Sequence, residues 1–334
     1  MAHKIAVDQI TQSHSMMYTG EEPWHGLGTQ LDKPATSAEA LKAAHLDWEV
    51  AKKPLYLDAP NGQRIMSGAY AIIRTDYLER GIDQVFGIVS KEYEPLQNKD
   101  AFTFFDDIVG QDAAIYHTAG ALGQGERIWI LAKLPDDIQV IGEDICNKYL
   151  LLSNSHDGQS SVQMKFTPVR VVCQNTLTQA LLQGPTIRVS HTRNIHERME
   201  KAKELLGIIN SHYESITENF QAMTRVKIDD EKLSLYYRLV FPDPRDPQDE
   251  IRRQLVERDR QIAGLYFREG HGNQAKGVAG TLWAAYNGVT EMVDYPNLVR
   301  NPESYLRTIW FGDGYLNKAR AYRIAIENLK TWAA

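Results

Sequence analysis

Cysteine is scarce in this chain: Cys146 and Cys173 are the two thiols in 334 residues. Two distant thiols cannot form a disulfide framework, so the fold must rest on its core, as expected in a reducing cytosol. Long apolar runs are lacking too; none approaches the roughly 20 residues needed to cross a bilayer. The opening segment, Met1 to Asp8, has no apolar stretch of signal-peptide length and meets an acid at Asp8. An intracellular protein is the expectation. There is no excess of positive charge: 37 Lys and Arg stand against 43 Asp and Glu, a net −6 that excludes a histone-like binder. Internal repeats, low-complexity tracts and long linkers are missing as well.

What is present is ordinary globular material, 43% hydrophobic and 24% charged, enough for one large domain or two smaller ones. The charge is unevenly spread. Residues 1–159 hold 13 basic and 23 acidic side chains, residues 160–334 hold 24 and 20, and residues 160–205 hold seven and three. An acidic protein can still present a positive groove.

Periodicity divides the chain. Asp47–Tyr56, Arg64–Arg74, Gln84–Val89, Ala113–His117, Arg127–Leu134, Tyr149–Ser153 and Ser161–Cys173 read as strands. Asn61-Gly62 predicts a hairpin between the first two, and Pro168 predicts an edge position, bulge or bend in the last. Helices are expected at Ser37–Ala44 and Asn98–Val109. After a short helix at Gln174–Leu182 and a strand at Thr186–Ser190, apolar residues recur from Ile195 through Met199, Leu206, Ile216, Phe220 and Met223 to Val226. That heptad spacing predicts one helix of about 45 Å, packed on the core or on a second subunit. Further helices are expected at Glu231–Val240, Gln248–Tyr266, Ala279–Asp294 and Lys318–Trp332. The fold class is therefore α+β: a β-rich part over residues 1–190, with an antiparallel or mixed sheet, and a helical part over 191–334 packed on it as one unit.

Four segments could carry chemistry. Trp24-His25-Gly26-Leu27-Gly28 lacks the preceding strand and spacing of a dinucleotide loop and reads as a structural strap. In Ser155-His156-Asp157-Gly158 the histidine and aspartate are adjacent, a spacing that does not itself supply a catalytic hydrogen bond, and turn chemistry explains the composition. Cys173 ends a β-branched run ahead of a helix, where a thiol could become a thiolate near His156, His191 or His196; a buried small side chain explains it equally. His191 and His196, five apart, do not share a helical face, so no zinc site is expected. Arg188, His191, Arg193, His196, Arg198, Lys201 and Lys203 crowd the entry to the long helix, where phosphate contact is the sharp reading and a solvated helix start the plain one. The glycine-rich stretch Gly270 to Gly280, with Asn273 and Lys276, lacks a P-loop ending and reads as a loop beside Trp283 and Tyr286.

Pro23-Trp24-His25-Gly26-Leu27-Gly28, Tyr93-Glu94-Pro95-Leu96-Gln97-Asn98, Ser155–Gly158, Pro168–Leu177, Arg193-Asn194-Ile195-His196 and Gly270–Glu291 occur in that order along nearly the whole chain. Together they resemble the phage/plasmid-like family, a domain of unknown function found in phages and plasmids. The resemblance implies the cytoplasm of a bacterial host cell and a setting in mobile-element biology, and leaves the activity open.

The leading expectation is a nucleic-acid binder, single-stranded DNA favoured, that supports recombination or annealing with no catalytic residue and no cofactor. Lys165, Arg170, Arg188, His191, Arg193, His196, Arg198, Asn273, Lys276, Lys318 and Arg320 would follow phosphates, and Trp283 and Tyr286 would stack bases. The Ile195–Val226 helix would align subunits of a homo-oligomer. The alternatives are an enzyme using Cys173 or His156 with Asp157, and a phage-encoded protein that engages a host factor through its acidic first half.

Overall fold

The computed structural model describes residues 5–20, 26–33, 35–109, 115–134, 136–170, 175–176, 187–208, 210–294 and 313–332. The strands are β1 (Met16–Thr19), β2 (Thr29–Leu31), β3 (Val50–Asp58), β4 (Arg64–Arg74), β5 (Val85–Val89), β6 (Ile115–Leu122), β7 (Arg127–Lys133), β8 (Ile138–Ile141), β9 (Asp144–Ser155), β10 (Val162–Arg170), β11 (Asn175–Thr176) and β12 (Ile187–Val189). The helices are α1 (Ser37–Ala43), α2 (Thr75–Glu79), α3 (Asn98–Val109), α4 (Ile195–Ile208), α5 (Asn210–Arg225), α6 (Asp230–Val240), α7 (Glu250–Glu269), α8 (Leu282–Asp294) and α9 (Asp313–Trp332). The fold is α+β, with the strands in the first part of the chain and the longer helices in the second.

The larger sheet runs in the order β11-β10-β9-β7-β6-β1-β2, with β12 also on β10 and β8 on β9. Its pairings are antiparallel except for β1 with β2, which are parallel. At its centre, β7 and β9 carry the apolar runs Ile128–Ala132 and Tyr149–Leu152, the pattern of strands covered on both faces. Alternation sends Ile128, Ile130, Leu150 and Leu152 to the main core and Trp129, Leu131, Tyr149 and Leu151 to a second cluster with Ile5 and Met16. The smaller sheet is β3-β4-β5. Its first hairpin turns at Asn61-Gly62 as expected, with Gly62 at φ +80° and Asn61 Oδ1 accepting from the Gln63 amide at 3.1 Å. β5 joins the two sheets by lying on the turn after β9. A Cβ on Gly87 would stand 2.7 Å from Asp157 Cα, so only glycine permits that approach.

The helical part is organised around α8, of which residues 282–291 are all buried. Such a helix can exist only inside a core. The Trp283 indole donates to Asp144 Oδ2 on β9 at 2.8 Å, tying α8 to the large sheet. Phe220 on α5 packs its ring centroid 4.6 Å from that of Trp283 and 6.1 Å from that of Tyr322 on α9. The Tyr237 hydroxyl on α6 lies 2.9 Å from Ala263 O on α7 and 3.2 Å from Ala285 O on α8.

From Ile195 to Arg225 the chain is helical on both sides of residue 209, which lies outside the described residues. Ile195, Met199, Ile216, Phe220, Met223 and Val226 are buried in the chain's own core, so these seam positions are already covered. Asn175 and Thr176 do not open a helix; they pair with Arg170 and Val169 and extend the sheet edge. The other residues of that expected helix lie outside the described ones. Pro168 sits in register opposite Lys148 of β9, between the short segments of β10 that β12 and β11 cover. Among the described residues it has a neighbour strand on one side only, which is how a residue without an N–H fits a sheet. β1, β2 and β8, of four residues or fewer, were not expected from periodicity.

Gly288 fixes the spacing of α7 and α8: a Cβ there would stand 2.6 Å from Ala263 O and 3.0 Å from Phe267 N, both backbone atoms. Gly288→Ala should therefore destabilise the protein by about 1–3 kcal/mol, the cost of overpacking a filled core, read as a lower denaturant midpoint at unchanged slope.

Candidate nucleic-acid interface

The residues singled out from the sequence separate by exposure. Arg188, Arg193, His196, Arg198 and Lys276 are at the surface. Arg188 lies on β12 opposite Gln163 of β10, which in turn faces Ser153 near the end of β9. Arg193 and Arg198 follow within ten residues, at the entry to α4. Lys276 is elsewhere. Its neighbour Gly277 lies against Ile141, whose β8 pairs with the start of β9 at Asp144. Ser153 and Asp144 are nine residues apart along β9, so the two cationic groups are separated by about 30 Å at 3.2–3.4 Å per residue. Lys165 and Arg170 occupy β10 between these ends, paired with Leu151 and Cys146; their side chains lie outside the described part.

His196 belongs to a different environment. It lines a 290 Å³ cleft between α3 and α4 with Asp100, Glu197 and Glu200. Three carboxylates make that cleft unwelcoming to phosphate. Glu197 is engaged by Lys201 at 2.7 Å, one turn along the helix. Arg198 is two residues from His196 and so projects from the opposite side of α4. The cationic face is thus that of Arg188, Arg193 and Arg198, without His196.

The remaining assignments are overturned by burial. Trp283 and Tyr286 are fully enclosed, so neither can stack a base. Asn273 is also enclosed, and its amide donates to Tyr266 O at 2.8 Å and to Ala284 O at 3.3 Å, closing the glycine-rich loop onto α7 and α8. Lys318 is buried in α9 and reaches Asp294 of α8 at 2.6 Å. Burial pulls its ammonium downward and Asp294 opposes that shift. Arg320 is half-buried and donates to Val240 O at 2.9 Å, latching α9 to α6. His191 is buried, stacked on Tyr93 at 4.8 Å, with Nδ1 at 3.2 Å from Glu94 O. These residues hold the fold, and those that are fully buried do not face a ligand. The sequence reading missed their acidic partners. Asp294 and Glu291 interrupt an otherwise apolar helix, and that embedding was the available signal. Glu291, 1% exposed, accepts from the His271 backbone amide and contacts His271 Nδ1 at 2.5 Å.

The Ser155–Gly158 turn lies at the junction of the two sheets. His156 is fully buried, 5.5 Å from the Trp48 ring and stacked at 6.0 Å on Phe86. Its Nε2 donates to Asn98 Oδ1 at 2.9 Å; the amide is held in that sense because Asn98 Nδ2 donates to Leu46 O at 3.0 Å. Burial, with His191 nearby, pushes the His156 imidazole down to about 3. Asp157 turns away from it: the Ser155 hydroxyl and the Gln159 amide both donate to Asp157 Oδ1. The adjacent pair therefore makes no catalytic dyad, in keeping with its spacing. Cys173 lies outside the described residues. Among the described residues, no three His, Cys, Asp or Glu side chains are grouped as a metal site would need.

The model of a family described as Domain of unknown function (DUF932) matches residues 85–310, more than half of the chain. The chain belongs to that family. No solved structure matches it. The DUF932 segment takes in the large sheet from β6 to β12, the buried histidines, both cationic groups and α8. The β3–β4 hairpin precedes it, and α9 follows it.

Two outcomes test this description. Lys318→Ala breaks a buried ion pair and should cost about 3–5 kcal/mol, seen as a large fall in thermal midpoint. For His156 the folded value is depressed, so between about 3 and the unfolded value near 6.5 the unfolded chain binds more protons. Stability should rise with pH across that window, by up to about 1.4 kcal/mol per pH unit from this group. Burial lowers His191 as well, which acts in the same direction. Denaturant titrations from pH 4 to 7 should show a steeper slope for the wild type than for His156→Gln.

Proposed function

We propose that this DUF932 protein binds nucleic acid, single-stranded DNA favoured, in the setting of phage or plasmid biology, and acts by holding the strand in recombination or annealing. The observation that carries this reading is the exposed cationic group Arg188, Arg193 and Arg198 at one end of β9 and β10, with Lys276 about 30 Å away at the other end. Guanidinium groups around a helix entry suit phosphate oxygens, by charge and by geometry. Binding of this kind is electrostatic, tolerant of sequence and sensitive to salt. A hydrolytic alternative built on His156 and Asp157 is disfavoured, because the imidazole is sealed from solvent and the carboxylate is engaged elsewhere.

Fluorescence anisotropy with labelled single- and double-stranded oligonucleotides across a salt series tests the proposal. Binding should weaken steeply with salt and favour the single strand. Arg193→Ala and Arg198→Ala should each weaken binding and lower the salt slope by about 0.7, one single-strand phosphate contact. A salt-independent affinity, or none at low salt, would refute it.

A further inference from the structure

With Trp283 and Tyr286 enclosed, any bases held by this protein must stack somewhere else, and the β3–β4 hairpin offers the needed chemistry. Beyond Pro54 and Tyr70 the hairpin stands clear of the body: Tyr56, Leu57, Ile65 and Met66 are 46%, 62%, 55% and 48% exposed. A two-stranded ribbon with two open faces gains little from its own contacts. Its faces differ. Alternation along β3 puts Lys52, Pro54 and Tyr56 on one side, where Tyr70, the partner of Pro54, also lies. Both tyrosines carry a cation over the ring: Lys52 Nζ is 5.5 Å from the Tyr70 centroid, and the Arg64 guanidinium is 5.1 Å from that of Tyr56. The opposite face presents Leu57 and Ile65 at its outer part, with the exposed Lys53 nearer the base.

Cation-backed aromatic rings are what a single strand requires, because each base has a face to stack and each link carries a negative charge. Tyr70 lies on β4 opposite Pro54 and packs partly against the core, while Tyr56 lies further out on β3, beyond a register shift in the ladder. Lys52 is anchored by donation to Lys91 O at 2.9 Å and Tyr93 O at 2.6 Å, which fixes the base of the hairpin beside Tyr70. Arg64, with 71% of its side chain exposed and Asp58 at 3.5 Å, is the cation available to a phosphate.

We infer that the Tyr56–Tyr70 face of this hairpin is the base-stacking surface for single-stranded nucleic acid, an inference that rests on the nucleic-acid reading above. The test is anisotropy of a fluorescein-labelled oligothymidylate with the full chain at low salt. Tyr56→Ala should weaken binding about tenfold or more, the scale of one lost base–aromatic stack. Tyr56→Phe, which keeps the ring, and Leu57→Ala, on the other face, should bind as the wild type does. Wild-type affinity in Tyr56→Ala would overturn the inference and leave the nucleic-acid reading standing. Equal losses in Tyr56→Ala and Leu57→Ala would overturn it too, pointing to a hairpin that docks a protein or merely supports the fold. No binding by the wild type would remove both readings.

Discussion

The hydrogen bond from the Trp283 indole to Asp144 joins the enclosed helix α8 to β9 of the large sheet, and so ties the helical part of the molecule to the strands. Because α8 has no wet face over residues 282–291, every helix near it is obliged to cover it: α5 through Phe220, α7 through the close approach at Gly288, α9 through Tyr322. The charges on α8 follow from the same enclosure. Asp294 and Glu291 cannot be left unpaired in such surroundings, and Lys318 and His271 meet them. Removing one partner of such a pair would leave a buried charge uncompensated.

On the proposed reading, function on this scaffold is peripheral: the interior is filled with aromatic rings and internal ion pairs, while exposed cations stand at the rim of the large sheet and on the projecting hairpin. The sealed histidines at the junction of the two sheets belong to the interior. His156 between Phe86 and Trp48, and His191 on Tyr93, act as ring-shaped core residues with one polar edge each.

Much of the fold was legible in the sequence because its signals are local. The Asn61-Gly62 turn, the alternating and continuous β-branched runs, and the division into strands and then helices depend on near neighbours in the chain. The family, too, was legible as a resemblance to a domain of unknown function. The site was less legible, for a physical reason. Trp283 and Tyr286 follow a glycine-rich loop, and local sequence does not tell whether such a loop opens to solvent or folds back. Asn273 closes it from within, through two backbone carbonyls that the chain brings together only on folding. Lys318 was misread likewise: a lysine in a helix is ordinarily wet, and its enclosure depends on Asp294, 24 residues earlier. Tyr56 and Arg64 were passed over because a strand's alternation does not show that the strand outruns the body it belongs to.

The burial of α8 has a consequence for how sequences of this kind can drift. On α7, residues 251–254 are all exposed and a substitution there meets water. From Leu282 to Glu291 there is no such position, and each side chain is bounded by a neighbour that has been shaped to it. A change at one of these ten sites must be answered by a change on another helix or on β9. Variation through this helix would accordingly come in matched sets, with partners scattered over the chain, and seldom as single replacements.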